Sequence, residues 1–230
     1  MAKSAPQLPP IGEYERDRVS NGSHHDPHST LGAHPVATGG WVIRALRPMA
    51  KSVSVVLKNG KELELNHVWN GIWDGFVDSK SAPDYRVKTV YSQDGKTTEW
   101  LADDPYRHLP TIGELDLHLV AEGRHEELWN ALGSHVLSIK GDMGVSRGTS
   151  FKVWAPNAEA VRVVGDFNHW SGVAHSMRVM GGTGVWELFI PGIEAGSAYK
   201  YEILTKQGHW IKKIDPMARA TQVPPDTASI

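Results

Sequence analysis

Arg47-Pro48-Met49-Ala50-Lys51-Ser52-Val53-Ser54-Val55-Val56 reappears, diverged, as Ala155-Pro156-Asn157-Ala158-Glu159-Ala160-Val161-Arg162-Val163-Val164. In both copies a proline turn opens onto an alternating, valine-rich run. Working outward, Gly71-Ile72-Trp73 parallels Gly184-Val185-Trp186, Tyr85-Arg86-Val87-Lys88 parallels Tyr199-Lys200-Tyr201-Glu202, and Asp104-Pro105 parallels Asp215-Pro216. The offset drifts by a few residues between landmarks, as insertions in surface loops produce. Within each copy the dominant period is two: 53–57, 62–65 and 85–91 in the first, 151–154, 161–164, 185–190 and 199–204 in the second. That period marks strands with one face buried. Asn59-Gly60, Asn70-Gly71 and Asp94-Gly95 supply hairpin turns. Six or seven short strands in about ninety residues is the size of one β-sandwich. The chain is therefore read as all-β, with two tandem immunoglobulin-like β-sandwich domains joined by a short helical linker.

The expected boundaries follow from where the alternation stops. Residues 1–20 are proline-containing and then charged, and read as a flexible tail. The first sandwich spans 21–110 and a linker 111–147. In that linker, 122–133 is expected to be helical, because Leu128 and Leu132 lie one turn apart and Gly133 offers a stop. Four glycines (133, 141, 144 and 148) mark the module boundary. The second sandwich spans 148–222, and 223–230 reads as a truncated linker toward a missing catalytic barrel.

Composition narrows the function classes. A net charge of −2 provides no field for nucleic acid or anionic membrane. The absence of cysteine excludes disulfides, a thiol nucleophile and cysteine-ligated zinc. No apolar run approaches the ~20 residues of a transmembrane helix, and the amino terminus is not built as a secretory signal. A cytoplasmic protein is expected, with no cofactor. Nine tryptophans against six tyrosines and four phenylalanines favour a surface that stacks on flat partners such as sugar rings, although core filling accounts for some of them.

The motif most suggestive of chemistry is Gly165-Asp166-Phe167-Asn168-His169-Trp170, directly after a buried-looking strand. Asp166 and Asn168 suit a turn that lifts Trp170 onto a loop. On the strand 199–204, Lys200 faces away from Tyr199 and Tyr201, and the Gln207-Gly208 hairpin presents Trp210. Indole faces pack on the C–H faces of glucose while lysine donates to hydroxyls. Equally, Trp170 and Trp210 are of a type that caps the end of a sandwich as core.

These residues carry a resemblance. Residues 151–215 resemble the family 48 carbohydrate-binding module, which occurs in starch- and glycogen-acting enzymes and in glycogen-sensing kinase subunits. The resemblance implies glucan contacts from Trp170, Lys200 and Trp210, and Asn168 in the same turn is expected to be a fourth glucan-binding residue. The hairpin before Trp210 is longer here than in those subunits. The run 24–34, rich in histidine, together with Asp104-Pro105-Tyr106-Arg107, Gly113-Glu114-Leu115-Asp116-Leu117-His118 and Glu122-Gly123-Arg124-His125, resembles the amino-terminal region of bacterial 1,4-α-glucan (glycogen) branching enzymes. That family transfers an α-1,4-glucan chain to a 6-hydroxyl. The partners it implies are glycogen or another α-1,4-glucan and the catalytic domain of the same enzyme.

Catalysis itself is not expected from these residues. Retaining glycosyl transfer needs two carboxylates on a barrel scaffold, and no alternation of parallel strands with long helices is present. Glu62-Leu63-Glu64-Leu65-Asn66-His67 mimics a barrel motif only loosely and lies in an alternating strand. A metal site among His24, His25, Asp26, His28 and His34 lacks a matching ligand spacing, and a packed, hydrogen-bonded turn is expected there. Three readings of function stay open: a glucan-binding part of a branching enzyme, inactive alone; docking modules with little sugar binding of their own; and a stand-alone glycogen-binding adaptor.

Overall fold

The computed structural model describes residues 8–230. The first module contains β1 (Gly32–Pro35), β2 (Trp41–Leu46), β3 (Ser52–Leu57), β4 (Glu62–Glu64), β5 (Asn66–Trp69), β6 (Ile72–Val77), β7 (Tyr85–Gln93) and β8 (Lys96–Ala102). They form two antiparallel sheets, ordered β1-β2-β6-β5 and β4-β3-β7-β8. The inward-facing residues of each, among them Ile43, Ala45, Val53, Val55, Trp73, Tyr85 and Val87, make one core. The second module follows the same plan with β9 (Gly133–Gly141), β10 (Gly144–Trp154), β11 (Ala158–Gly165), β12 (Arg178–Val179), β13 (Val185–Pro191), β14 (Tyr199–Thr205) and β15 (Trp210–Lys213). Its sheets are ordered β12-β13-β10-β9 and β11-β14-β15.

The internal repeat reappears as matched contacts. Gly71 and Gly184 both have positive φ, 84° and 76°, and a Cβ on either would lie 2.7 Å from the proline that opens the repeat, Pro48 or Pro156. Trp73 Nε1 donates to Arg47 O at 3.3 Å and Trp186 Nε1 to Ala155 O at 3.0 Å. Tyr85 donates to Asp104 Oδ2 at 2.7 Å, and Tyr199 to Asp215 Oδ2 at 2.6 Å. In each module this buried pair ties a central strand to the segment that leaves the sandwich. Glycine is required at 71 and 184 twice over, by backbone sign and by close approach.

Several expected boundaries differ. Residues 13–20, assigned to a flexible tail, form α1 (Glu13–Ser20), and Val19 is buried with Leu31, Leu46, Ile72 and Tyr106 against the core of the second module. The first seven residues of that tail lie outside the described residues. The helix expected at 122–133 is displaced: α2 (Glu114–Ala121) precedes it, and only α3 (Leu128–Ala131) remains within it. Gly123, at φ 68°, ends α2: its N–H reaches Val120 O while Arg124 N–H reaches Leu119 O. That is a Schellman closure, which satisfies the last carbonyls of the helix. The glycines at 133–148 are not linker. They allow β9 and β10 to pair across a tight hairpin and, at Gly148, let β13 approach where a Cβ would press on Ile190 and Pro191. Residues 223–230 also dock: Ala228 and Ser229 are buried, and Ser229 bridges Tyr199 and Thr221. No helix among the described residues is long and apolar enough to cross a membrane.

The modules are joined by polar contacts as well as by the shared core. Tyr106 donates to Ala174 O at 3.1 Å and accepts from Ser176 N–H at 3.0 Å. Arg162 donates to Gly22 O at 2.8 Å and Asn21 O at 2.6 Å. Asp84, Asp103, Arg86, Arg107 and Ser146 form a further network across the junction. These contacts hold the turn after β11 in a set position beside the first module.

Candidate functional site

Strand β11 ends at Gly165, and the chain turns back over the outer face of its own sheet. A Cβ on Gly172 would lie 2.6 Å from Arg162 Cβ and 3.0 Å from Val164 Cγ1, which shows how closely the returning loop covers that face. Within the turn, Asn168 Oδ1 accepts from Gly165 N–H at 2.9 Å and Nδ2 donates to Val163 O at 2.9 Å. Those two backbone partners set the orientation of the amide. Nδ2 therefore also donates to His175 Nδ1, at 2.9 Å, and the imidazole must be neutral to accept. Burial, with the Arg47 charge adding to it, pushes the His175 pKa down to about 4, which keeps the ring in that form.

The same turn places two successive non-glycine residues in the left-handed region, His169 at φ 53° and Trp170 at φ 58°. Such residues are costly singly and persist only where surrounding bonds hold them. Here Trp170 N–H donates to Gly165 O at 2.9 Å, and the indole Nε1 donates to Asp166 Oδ1 at 2.9 Å. The polar edge of the indole is thus turned into the loop and its ring, half-buried, is held in one orientation.

The other residues share that outer face. In β14, Lys200 lies opposite Val164 and Glu202 opposite Arg162; on the other side Glu202 faces Lys212 and Leu204 faces Trp210. Directly paired residues point to the same side, and alternate residues along a strand do so too. Lys200, Arg162 and Trp210 therefore stand on one face, while Tyr199, Tyr201 and Ile203 point into the core. The rows of Lys200 and Trp210 are four residues apart, roughly 13 Å at the rise of a strand.

Each expected site residue has a definite place. Strand pairing brings Lys200 and Trp210 to one face, Trp170 stands on the turn that leaves β11 over that face, and all three are half-buried, with none enclosed. Lys200 Nζ donates to Thr227 Oγ1 at 2.7 Å, which leaves two of its three N–H groups for other acceptors. Trp210 has one ring face covered: the Arg162 guanidinium sits 3.6 Å from the ring centroid. Only the opposite face is available for stacking. Asn168 differs from expectation. Both polar atoms of its amide are bonded within the turn, so it builds the platform for Trp170 instead of presenting itself to a ligand. Sequence reasoning missed Arg162 and His175, and it gave Asp166 a place in the turn but not its bond to the Trp170 indole. Period two puts Arg162 on the outer face, but nothing local shows that it supports Trp210.

Of the nine tryptophans, only Trp73 and Trp186 are buried. The histidine run at 24–34 is a packed turn: His24 Nδ1 accepts from Asp26 N–H at 3.0 Å, and His34 Nε2 bonds Leu31 O at 3.0 Å. Among the described residues no group of three or more acidic or histidine side chains is placed to hold a metal ion.

Comparison with known proteins connects this geometry to a family. Residues 131–218 match carbohydrate-binding module 48 (isoamylase N-terminal domain), and residues 13–106 match the N-terminal domain of the alpha-1,4-glucan branching enzyme GlgB. The 1,4-alpha-glucan branching enzyme GlgB of Leifsonia xyli subsp. xyli is 53% identical over 234 aligned residues, covering 100% of this chain and 31% of the relative. That of Thermobifida fusca is 56% identical over 216 residues, covering 94% of this chain and 28% of the relative. A solved pullulanase from Anoxybacillus sp. LM18-11 overlays 87% of this chain and 27% of its own, at 16% identity and a TM-score of 0.34. The chain spans about a third or less of the length of the branching enzymes it matches. With one family model on each module and relatives matched along nearly its whole length, the chain belongs to the 1,4-alpha-glucan branching enzyme GlgB family, of which it carries the amino-terminal, two-module region.

Proposed function

We propose that this chain holds α-1,4-glucan on the outer face of the β11-β14-β15 sheet, in the service of a branching enzyme whose catalytic part lies outside these residues. The observation that carries the reading is the Trp170 turn. Its amide network and strained backbone hold a half-buried indole, polar edge inward, on the turn that leaves β11 over the face carrying Lys200 and Trp210. A glucose ring offers an apolar C–H face to such an indole and hydroxyls to a lysine. Stacking of this kind contributes about 1–2 kcal/mol per aromatic residue, by analogy with base stacking, so the affinity of this face should fall between micromolar and millimolar. The parent reaction is transfer of an α-1,4-glucan chain to a 6-hydroxyl, in a cytoplasmic setting, and this chain contributes substrate retention to it. Electrophoresis through a glycogen-containing gel tests the proposal. The protein should be retarded, and Trp170→Ala should abolish most of the retardation while its melting temperature stays within a few degrees. No retardation of the unaltered protein would sink the reading. Branching of amylose by this chain alone, followed by iodine staining, would sink the claim that catalysis lies elsewhere.

A further inference from the structure

The β7–β8 hairpin runs past the end of the first sandwich. Val87 belongs to the core, but further along the same face comes Tyr91, only half-buried, with Trp100 and Thr98 standing opposite Thr89 and Tyr91 across the ladder. Strand β8 is exposed along its whole length, and Trp100 is 63% exposed. This overhanging face and the turn that carries Trp170, through Phe167 and His169, enclose an open groove of about 840 Å³ between the two modules.

The lining of the groove selects among ligand classes. Trp100 and Tyr91 supply flat aromatic surface, and between them and beyond lie the Thr98 hydroxyl, the Gln93 amide, the Lys96 ammonium and the His169 imidazole. Lys96 is offset by Asp94 at the hairpin tip, and Arg47, which also lines the groove, by the buried Asp104 carboxylate 3.7 Å away, so the groove has no strong single-sign field to attract an anion. The buried centre of a protein–protein interface is depleted in charged side chains, whereas a ring-faced polyol needs flat apolar surface interleaved with donors and acceptors. Position adds a second argument. His169 lines the groove and the next residue is Trp170, so the groove lies one residue from the second module's platform, a separation that one oligosaccharide can bridge.

We infer that this groove is a second α-glucan contact, on the first module, and that a chain of several glucoses engages it together with Trp170. The inference rests on the glucan reading of the second module. Once one end of a chain is held by Trp170, the groove meets the other end at high effective concentration, so its contribution grows with chain length.

Calorimetric titration of the full 230-residue protein with maltotriose and with maltoheptaose tests this. Trp100→Ala should weaken maltoheptaose binding roughly 5- to 30-fold, the range expected for one lost stacking contact. Maltotriose affinity should stay within about twofold, since a short chain cannot span both surfaces. Trp100→Phe, which keeps a ring at an exposed edge position, should recover most of the maltoheptaose affinity and so separates loss of stacking from loss of fold. Unchanged maltoheptaose affinity in Trp100→Ala, with clear loss in Trp170→Ala, overturns the groove and leaves the second-module reading standing. Absence of binding by the unaltered protein removes both. If Trp100→Ala keeps its sugar affinity but loses association with the carboxy-terminal remainder of a GlgB relative supplied separately, the groove is a protein contact and the inference fails.

Discussion

Replacing Asn168 by alanine separates two roles that its place in the turn allows. If the amide touches sugar, its loss lowers affinity and leaves the fold alone. If it builds the turn, stability and affinity fall together. The structure assigns the second role: one acceptor and two donor bonds, to Gly165 N–H, Val163 O and His175 Nδ1, all internal. A typical hydrogen bond contributes about 1 kcal/mol net, so the three together amount to roughly 3 kcal/mol. The figure errs low, since Gly165 is buried and its orphaned N–H adds a desolvation cost. For a protein of this size about 1 kcal/mol moves the melting temperature by roughly 2–4 °C, so Asn168→Ala should melt about 6–12 °C lower if the two modules unfold together. Released from the network, His169 and Trp170 relax out of the left-handed region and the indole loses its orientation. Retardation in a glycogen gel should then approach that of Trp170→Ala. Circular dichroism melts and the same gel measure both quantities. An unchanged melting temperature with weakened binding would refute the turn-building role and put the amide on the ligand.

Three further outcomes are expected. Tyr85→Phe and Tyr199→Phe each strip a buried carboxylate of a hydroxyl donor, and each should cost about 1–3 kcal/mol in chemical denaturation, with the smaller loss for Tyr199→Phe because Tyr201 still donates to Asp215 Oδ2 at 3.2 Å. Acidification should loosen the Trp170 turn: His175 has its folded pKa lowered to about 4 from the ordinary 6.5, so the unfolded chain binds more protons between those values. Stability is therefore full above about pH 6.5 and falls as pH drops toward 4, by on the order of 3 kcal/mol, and melts of the protein and of His175→Asn across that window should converge at low pH. Arg162→Ala removes the cation beneath Trp210 and the bonds to Asn21 and Gly22, so tryptophan emission should shift and α1 should become sensitive to protease, whereas Arg162→Lys should recover only part of either effect.

Much of the fold is legible in the chain because the signals are local. Alternation at 53–57 and 161–164 marks half-buried strands whatever lies around them. Asn59-Gly60, Asn70-Gly71 and Asp94-Gly95 specify tight turns through backbone sign, and all three glycines have positive φ. The repeat is legible for a related reason: identical contacts recur wherever the same spacing does. Boundaries were less so. Gly123 reads equally well inside a helix start or as the stop of the preceding helix, and what separates the two is whether Leu117 and Val120 find apolar partners. They pack on Ile112, Leu132 and Val185, which belong to other elements. Val19 offers no local sign that it will be buried, because its cavity is built by residues of both modules.

The same division holds at the candidate site. Trp170, Lys200 and Trp210 could be named from motif and period, since a turn after a strand and alternation along a strand are properties of neighbouring residues. That Asn168 faces inward, that Arg162 covers one side of Trp210, and that Trp100 comes to stand near His169 depend on pairs far apart in the chain. Local backbone preference determines what each segment becomes; only packing between distant segments, which sequence spacing does not encode, decides which side chains are left facing solvent together.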